Sequence, residues 1–237
     1  MYNILKEKMN SENIRGIFMK LLETYIPLVN FIADVMGPNC EVLLHDVVDV
    51  QNSVIAISNG YISGRQIGCP LTDLGLELLE KKAYIHQSAI VNYLSRTASG
   101  EKLRSSTYFI KNESSELIGM LCVNILLSPD GMAVNHLADK LINALVANQS
   151  HGGAVVAEEE KVVESLQTSI ENVVDSAIDK IISEYDMPVE RMSINEKITI
   201  VQKLNANGVF KIKGAITKVA STLQASESTI YRYLSSK

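Results

Sequence analysis

The last residues of the chain, ASESTIYRYLSSK, carry polar side chains that suit contact with nucleic acid. If this stretch is helical, Ser228, Thr229 and Arg232 lie at its outward side near the start. Hydroxyl and guanidinium groups hydrogen-bond to phosphate oxygens and base edges, and an arginine can bind a guanine in bidentate fashion. The chemistry that these residues indicate is recognition of an anionic polymer.

Residue types used in nucleophilic catalysis also occur in the chain, as Cys40, His45, Asp46, Ser105 and Ser106. No nucleophile elbow or comparable motif organises them. His45 and Asp46 are neighbours in a predicted strand and point to opposite faces, so a relay between them is not expected. We therefore predict that the protein is not an enzyme.

The four histidines are scattered, and no spacing of a metal site accompanies them. The dipeptide Cys69-Pro70 occurs in some haem-responsive proteins, but a Cys beside a Pro is also an ordinary turn feature. We predict neither a metal nor a cofactor. The three cysteines are far apart in sequence, and we expect reduced thiols in a cytoplasmic protein.

A glycine-rich segment, SNGYISGRQIGCP, lies between a predicted strand and a predicted helix. Loops of this kind often carry ligand contacts, which makes Asn59, Ser63 and Arg65 candidates for binding a small polar or anionic ligand. The alternative is that Gly and Asn supply turn geometry and that Arg65 forms a surface salt bridge. Both interpretations remain open from the sequence.

Two short helices are predicted at the C-terminus within AITKVASTLQASESTIYRYL. Each carries an apolar stripe, the members being Ile216, Val219, Ala220 and Leu223 in the first and Ile230, Tyr233 and Leu234 in the second. Ser226 is placed to cap the second helix. The short turn between them is typical of a helix-turn-helix, although Gln224 stands where that turn commonly carries Gly.

The second helix of such a module enters the major groove with its N-terminal part. Ser228, Thr229 and Arg232 are therefore the candidates for base edges, and the candidates for phosphate contacts are Tyr231, Lys218 and Lys213. Ser226 lies at the same helix end and completes the predicted DNA-binding set. The alternative is a helical hairpin with a solvated polar face that docks another protein.

The charge of the chain is unevenly distributed. From residue 205 to the end there are five basic residues against Glu227 alone, a local net charge of +4. Because the whole chain carries −5, residues 1–204 carry −9. Such an asymmetry favours an acidic body joined to a module that seeks anions.

The body itself shows patterns of an α+β domain. An apolar helical face near the N-terminus is divided by Pro27, and two strand-like runs, a short helix and three more strand-like runs follow. This order predicts an antiparallel sheet with flanking helices. The N-terminus lacks the pattern of a secretory signal, and the longest apolar run is too short to cross a bilayer, so no membrane contact is expected.

A helix from about residue 132 to 147 is predicted to close the body, followed by a linker over residues 149–160. Beyond the linker, apolar residues alternate at three and four positions, as Val163, Leu166, Ile170, Val173 and Ala177. This seam predicts either a dimerisation helix or an amphipathic helix packed on its own domain. We place the connecting helix at residues 161–187.

The chain resembles the YheO-like transcriptional regulators, which combine a PAS-like sensor domain with a C-terminal helix-turn-helix. The resemblance rests on GPNCEVLLHD, SVIAISNGYISGRQIGCPLTDL, LIGMLCVNILLS and GVFKIKGAITKVASTLQASESTIYRYL, and it covers most of the chain. It implies a PAS-like sensor domain over residues 1–148 and a DNA-binding domain over residues 188–237.

We therefore expect a cytoplasmic regulator that binds double-stranded DNA, senses a small-molecule effector or a partner, and works as a homodimer. The alternative is a ligand-binding or protein-interaction module that does not bind DNA. Salt-dependent affinity for DNA distinguishes the two.

Overall fold

The computed structural model of the protein describes residues 15–127, 164–185 and 187–236. The predicted helix at residues 132–147 and the predicted linker at 149–160 lie outside these ranges. Residues 15–23 are helical, and after a turn at residues 24 and 25 the chain continues as helix α1, Ile26–Met36. Pro27 lies in the first turn of α1, where its missing amide hydrogen costs nothing, so the predicted division of the helix is confirmed.

The described residues form a six-stranded sheet. Its strands are β1 Cys40–Asp46, β2 Val54–Ser58, β3 Ala89–Thr97, β4 Lys102–Lys111, β5 Leu117–Leu126 and β6 Glu164–Leu166. Their spatial order is β2-β1-β5-β4-β3-β6, and all neighbours are antiparallel except β3 and β6. Helix α2, Asp73–Glu80, lies between β2 and β3 in the chain. The α+β architecture expected from the sequence is confirmed.

The sheet packs on both faces. On one face, α1 and residues 15–23 bury Leu22, Val29 and Ala33 against alternate residues of β1 such as Val42 and Leu44. The intervening residues of β1 point to the opposite face, which is covered by the segment from β2 to α2. That second face contains most of the polar side chains that the domain buries.

Strand β6 was not expected. The seam predicted from Val163 onward is interrupted, because residues 164–166 pair in parallel with β3 and helix α3, Ile170–Ile182, begins only after the N-cap Ser169. Val173 and Ala177 are buried within the chain's own core, at 1% and 5% exposure. These contacts favour the second of the two interpretations, an amphipathic helix packed on its own domain.

Three further helices follow α3, namely α4 Ile194–Ala206, α5 Ala215–Thr222 and α6 Glu227–Ser235. Helix α4 begins with the predicted capping box, in which Ser193 and Glu196 exchange side-chain and backbone hydrogen bonds. The apolar residues of these helices join those of α2, α3 and the second sheet face in one continuous core. A shift at the sheet can therefore be transmitted to the C-terminal helices through direct packing.

One helical stretch of the described residues, Arg15–Met36, is long and apolar enough to cross a membrane, by its 22 residues and its composition alone. Leu22 and Val29 on its inner side are fully buried against the sheet. Only 17% of the apolar window is buried, so packing on the sheet covers one side of this stretch. Its outer side carries exposed apolar residues.

Candidate nucleic-acid interface

The two C-terminal helices pack as the sequence predicts. Val219 and Ala220 of α5 and Ile230 and Tyr233 of α6 are buried against each other and against α4, with Leu223 fully buried at the end of α5. The small side chain of Ala220 allows a close approach of the helices. The pair forms a helix-turn-helix arrangement with one polar side of α6 left outward.

The turn between α5 and α6 uses Gln224 in the left-handed conformation, with φ of 51°. The amide of Ala225 donates to the carbonyl of Ala220 and that of Gln224 to the carbonyl of Ser221, at 2.9 and 3.2 Å, which is the Schellman pattern. The Gln224 side chain also donates to Glu190 Oε1 at 2.8 Å. Gln therefore takes the role that Gly commonly has in such turns, and a side-chain hydrogen bond accompanies it.

Helix α4 positions both helices of the module. Lys197 Nζ donates to the carbonyl of Leu223 at the end of α5, at 2.8 Å. Gln202 Nε2 donates to the carbonyls of Tyr233 and Ser236 at the end of α6, at 2.6 and 2.9 Å. Sequence reasoning did not identify these two residues, because no local pattern links them to carbonyls about thirty positions away.

Ser226 caps α6 as predicted. Its Oγ accepts a hydrogen bond from the Thr229 amide at 3.2 Å, and it lies 2.8 Å from Ser228 Oγ and 2.9 Å from Thr229 Oγ1. The three hydroxyl groups form a compact polar cluster at the positive end of the helix dipole. Such a helix end suits an anionic partner.

The outward side of α6 presents the remaining predicted residues. Ser228 and Arg232 are exposed, Tyr231 is 57% exposed, and Thr229 is half-buried. Glu227, whose negative charge is unfavourable near phosphate, accepts a hydrogen bond from Thr217 Oγ1 at 2.7 Å. This local contact holds the carboxylate against α5.

Lys213 and Lys218 are exposed at the start and on the outer side of α5. They line one groove of about 520 Å³ between α3 and α5. Lys218 forms an ion pair with Asp175 of α3 at 3.0 Å. The structure thus brings two of the predicted phosphate contacts, Lys213 and Lys218, to one groove, with Lys218 already paired with a carboxylate.

Of the three candidates for ligand binding, Ser63 and Arg65 lie together, with the Arg65 amide donating to Ser63 Oγ at 3.2 Å, and Asn59 lies apart from them. Asn59 adopts a left-handed conformation with φ of 56°, and its side chain donates to the carbonyls of Gly37 and Cys40, so it supports a turn. Ser63 and Arg65 are buried at 6% and 3% exposure on the second sheet face. The alternative that Arg65 is a surface residue is wrong, because its guanidinium lies inside the domain and donates to the carbonyl of Pro70.

A row of polar side chains crosses this second sheet face. Five strands contribute to it. Glu41 is paired with Asn124, Asn124 with Ser105, and Ser95 with Glu164, while a hydrogen bond between their hydroxyl groups joins Ser95 to Ser105. Each of them is at least 95% buried. We call this set the polar row. The sequence did not indicate it, since its members are far apart along the chain and alternate with apolar residues.

Hydrogen bonds connect Ser63 to the polar row, and Arg65 acts on it through its charge. Glu41 accepts from Ser63 Oγ at 2.5 Å and from Asn124 Nδ2 at 2.9 Å. Burial nevertheless raises the pKa of Glu41, and these hydrogen bonds and the charge of Arg65 only partly oppose the effect. Burial, followed by Arg65, lowers the pKa of His45 well below its usual value.

Glu164 is the most perturbed acid of the row. Burial raises its pKa to about 7, with Asp73 adding to the rise, while the hydrogen bond from Thr72 and the charge of Arg65 oppose it. Thr72 Oγ1 donates to Glu164 Oε1 at 2.6 Å. A carboxyl with such a pKa changes its charge near neutral pH.

The described residues contain no group of three or more His, Cys, Asp or Glu side chains that could hold a metal ion. Cys40, Cys69 and Cys122 are buried and make no disulfide. Cys69 Sγ accepts from the Gln66 amide and donates to the Thr168 carbonyl. Burial raises the pKa of Cys122 to about 12, so this thiol is not a reactive thiolate.

Comparison with known proteins finds two matched domains in the chain. Residues 18–143 match the YheO-like PAS domain, and residues 173–235 match a helix-turn-helix (HTH) domain. The protein YheO of Escherichia coli strain K12 is 31% identical over 215 residues, which cover 90% of this chain and 83% of YheO.

A protein of Haemophilus influenzae strain Rd is 28% identical, over 90% of each chain. The transcriptional regulator DauR of Pseudomonas aeruginosa strain PAO1 is 24% identical, over 90% of this chain and 92% of its own. The matched domains and a relative that is a transcriptional regulator support a regulatory role rather than catalysis. The chain belongs to the family of proteins that carry a YheO-like PAS domain together with an HTH domain.

Proposed function

We propose that the protein is a cytoplasmic, homodimeric transcription regulator whose helix α6 reads operator DNA and whose PAS-like domain binds an effector. The observation that carries the proposal is the exposed hydroxyl and arginine side of α6, held by a capped N-terminus next to two lysines. The HTH match over residues 173–235 and the regulator DauR among the relatives support it.

In this proposal the N-terminal part of α6 enters the major groove. Ser228, Thr229 and Arg232 then face base edges, while Tyr231 and Ser226 lie near the sugar-phosphate backbone of the DNA. Lys213 and Lys218 contact phosphates from α5 and the residues before it. The local charge of +4 supports attraction to DNA despite the acidic body.

The DNA contacts predict two different responses to substitution. Arg232→Ala is expected to weaken binding to the preferred site by about 5- to 150-fold and to relax sequence choice, because a bidentate base contact is worth about 1–3 kcal/mol. Lys218→Ala is expected to weaken binding to all sequences and to reduce the salt slope by less than one, because Lys218 also gives up its ion pair with Asp175. Gel-shift titrations on the promoter DNA beside its gene, at several salt concentrations, measure both.

A matched control is Lys102→Ala, which removes an exposed lysine of β4, outside the C-terminal module. Its DNA affinity should equal that of the wild type. If wild-type protein shows no salt-dependent binding to any promoter fragment even at low salt, the DNA-binding proposal fails. The alternative of an interaction module would then account for the helical hairpin.

The N-terminal helices offer a surface for the proposed dimer. Large apolar side chains are exposed along residues 15–36, namely Ile17, Leu21, Leu28, Phe31, Val35 and Met36. From residue 17 to 35 they alternate at four and three positions, with Thr24 as the one polar member. This is the spacing of a coiled-coil seam, and we call it the N-terminal seam. Two copies related by a twofold axis would cover it mutually.

Phe31→Asp is expected to convert the dimer to a monomer at micromolar concentration, because it places a charge within the N-terminal seam. Phe31 is 63% exposed, so the monomer fold should be retained. Ile85→Asp, at 59% exposure outside the seam, is the matched control and should remain dimeric. Sedimentation equilibrium measures the mass. A monomeric wild type, or a dimeric Phe31→Asp variant, contradicts this assignment of the interface.

The effector part of the proposal rests on the buried polar face of the sheet. Ser63 and Arg65 lie there beside the polar row, and the core that begins on this face continues into the C-terminal helices. A ligand that shifts α2 or β6 would therefore alter the packing of α3. In a dimer this would change the spacing of two α6 helices over half-sites.

A further inference from the structure

Helix α3 places an acidic side next to the module that carries the predicted DNA contacts. Its carboxylates recur every four residues, at Glu171, Asp175 and Asp179, so they lie in a row along the helix, about 6 Å apart along its axis. Asp175 forms an ion pair with Lys218 of α5, with 3.0 Å between Oδ1 and Nζ. A lysine predicted to contact a DNA phosphate is thus already paired with a carboxylate of its own chain.

Asp179, one turn after Asp175, is also influenced by Lys218. Burial raises the pKa of Asp179 and the charge of Asp175 raises it further, while the charge of Lys218 lowers it. Two like charges one turn apart on a helix repel each other, and a nearby ammonium group relieves that repulsion. Lys218 is therefore attracted by two carboxylates of α3, of which Asp175 makes the direct contact.

The ion pair is accessible to solvent and to a competing anion. The Lys218 side chain is 45% exposed and the Asp175 side chain is 40% exposed. An exposed ion pair is weak, so a DNA phosphate can displace the carboxylate. If the ammonium group bound both anions at once, the carboxylate and the phosphate would be brought close together and would repel each other. Asp175 and a phosphate therefore compete for Lys218.

The position of Asp175 depends on the PAS-like domain, because α3 begins next to the edge of its sheet. Strand β6 pairs with β3, and the amide of Ser165 in β6 donates to Asp73 Oδ1 at 3.0 Å. Cys69 of the glycine-rich segment donates from Sγ to the carbonyl of Thr168 at 3.4 Å, directly before the N-cap of α3. A movement of the sheet edge or of the glycine-rich segment would therefore reach the first turns of α3.

We propose that the ion pair between Asp175 and Lys218 is an autoinhibitory contact that holds Lys218 away from DNA until α3 moves. While the pair is closed, α3 supplies the anion and Lys218 contributes only part of its attraction to DNA. When a change in the PAS-like domain separates α3 from α5, Lys218 is released to a phosphate and the affinity for DNA rises. The proposal rests on the function proposed above, because it describes the regulation of the same DNA-binding surface.

The variant Asp175→Asn tests the contact, because it removes the charge and keeps the shape of the side chain. Its affinity for the promoter DNA beside the gene should exceed that of the wild type by about two- to fivefold at low salt, as expected when one exposed ion pair is lost. Asp179 can take over the pairing with Lys218, so the double variant Asp175→Asn/Asp179→Asn is measured as well and should bind at least as tightly. Fluorescence anisotropy titrations of the full-length proteins measure the affinities. Unchanged or weaker binding by both variants overturns the proposal.

A double-mutant cycle separates the ion pair from the general effect of a negative charge near DNA. In a protein that also carries Lys218→Ala, Asp175→Asn should improve the affinity by no more than Glu171→Gln does alone. Glu171 is the matched control, since it is exposed, lies one turn before Asp175, lines the same groove as Lys218 and forms no ion pair with a described residue. An equal gain from Asp175→Asn with and without Lys218 would show a general charge effect and overturn the proposal.

The same titrations distinguish failure of this contact from failure of the DNA-binding function. If the wild type binds DNA and neither aspartate variant binds more tightly, the regulator function stands and the ion pair is not inhibitory. If the wild type binds no promoter fragment even at low salt, the DNA-binding function fails, and the proposed regulation fails with it.

Discussion

The free energy of unfolding of the variant Glu164→Gln is expected to exceed that of the wild type by about 3 kcal/mol at pH 8. Near pH 4.5 the two free energies of unfolding should be equal. The cause is the pKa of Glu164, which burial raises to about 7 from a usual 4.5. A carboxyl whose pKa is raised on folding holds its proton more tightly in the folded state. Its contribution to stability is complete below the unfolded pKa and is lost as the pH rises through the folded pKa.

A neutral amide avoids that loss, so the difference between variant and wild type should grow as the pH rises from 4.5 toward 8. The Gln side chain can still accept the hydrogen bond from Thr72. His45 acts in the opposite sense in both proteins, because its pKa is lowered by burial and its neutral form is favoured in the fold. Comparing the two proteins cancels that contribution.

Urea unfolding at a series of pH values measures the difference directly. A difference that is constant between pH 5 and 8, or a variant that is less stable at pH 8, would contradict the raised pKa. The expected gain in stability means that the ionised carboxyl of Glu164 destabilises the folded wild type. Functional sites often keep groups of that kind.

The variant Gly119→Ala is expected to lose about 2–3 kcal/mol of folding free energy. Gly119 lies in β5, opposite Asp46 of β1. A Cβ atom there would lie 2.4 Å from Leu22 Cδ2 and 2.7 Å from the carbonyl oxygen of His45. The leucine tip can rotate away, but the carbonyl belongs to β1 and cannot move without disturbing the sheet.

Gly16→Ala is the matched control for this substitution. Gly16 is helical and exposed, and no atom lies within 4 Å of the position of its added Cβ. Ala is favoured over Gly in a helix by about 1 kcal/mol, so this variant should be slightly more stable than the wild type. Thermal and urea unfolding measure both. Equal stability of the Gly119→Ala variant and the wild type would show that the sheet and the N-terminal helix can separate at little cost.

The sequence predicts the C-terminal helices well because their signals are local. Ser226, Ile230 and Tyr233 lie within eight positions of one another, and a cap and an apolar stripe suffice to place α6. Strand β6 is different, since three residues are too few to show a period and its partner Ser95 lies about seventy positions earlier. Tertiary pairing decided its conformation.

The same distinction applies to the sites. Arg65 was identified as a ligand candidate by its glycine-rich segment, but its burial depends on strands from the whole domain. Glu41 and Glu164 were not identified, because each carboxylate faces the interior only once the sheet registers are formed. Buried charges of this type are rarely predictable from composition, since a charge usually indicates a solvated position.

The ion pair between Lys218 and Asp175 affects how DNA binding should respond to ionic strength. A lysine that approaches DNA normally displaces a condensed cation, and the entropy of that release gives binding its salt dependence. Lys218 must also break its ion pair with Asp175 before it can contact a phosphate. Salt screens that ion pair as well as the contact with phosphate, so the two effects of salt on Lys218 oppose each other. Lys213 forms no ion pair with a described residue and has no such exchange to make. At moderate salt the two lysines should therefore contribute unequally to DNA binding. The larger share of the entropy gained from released cations should come from Lys213.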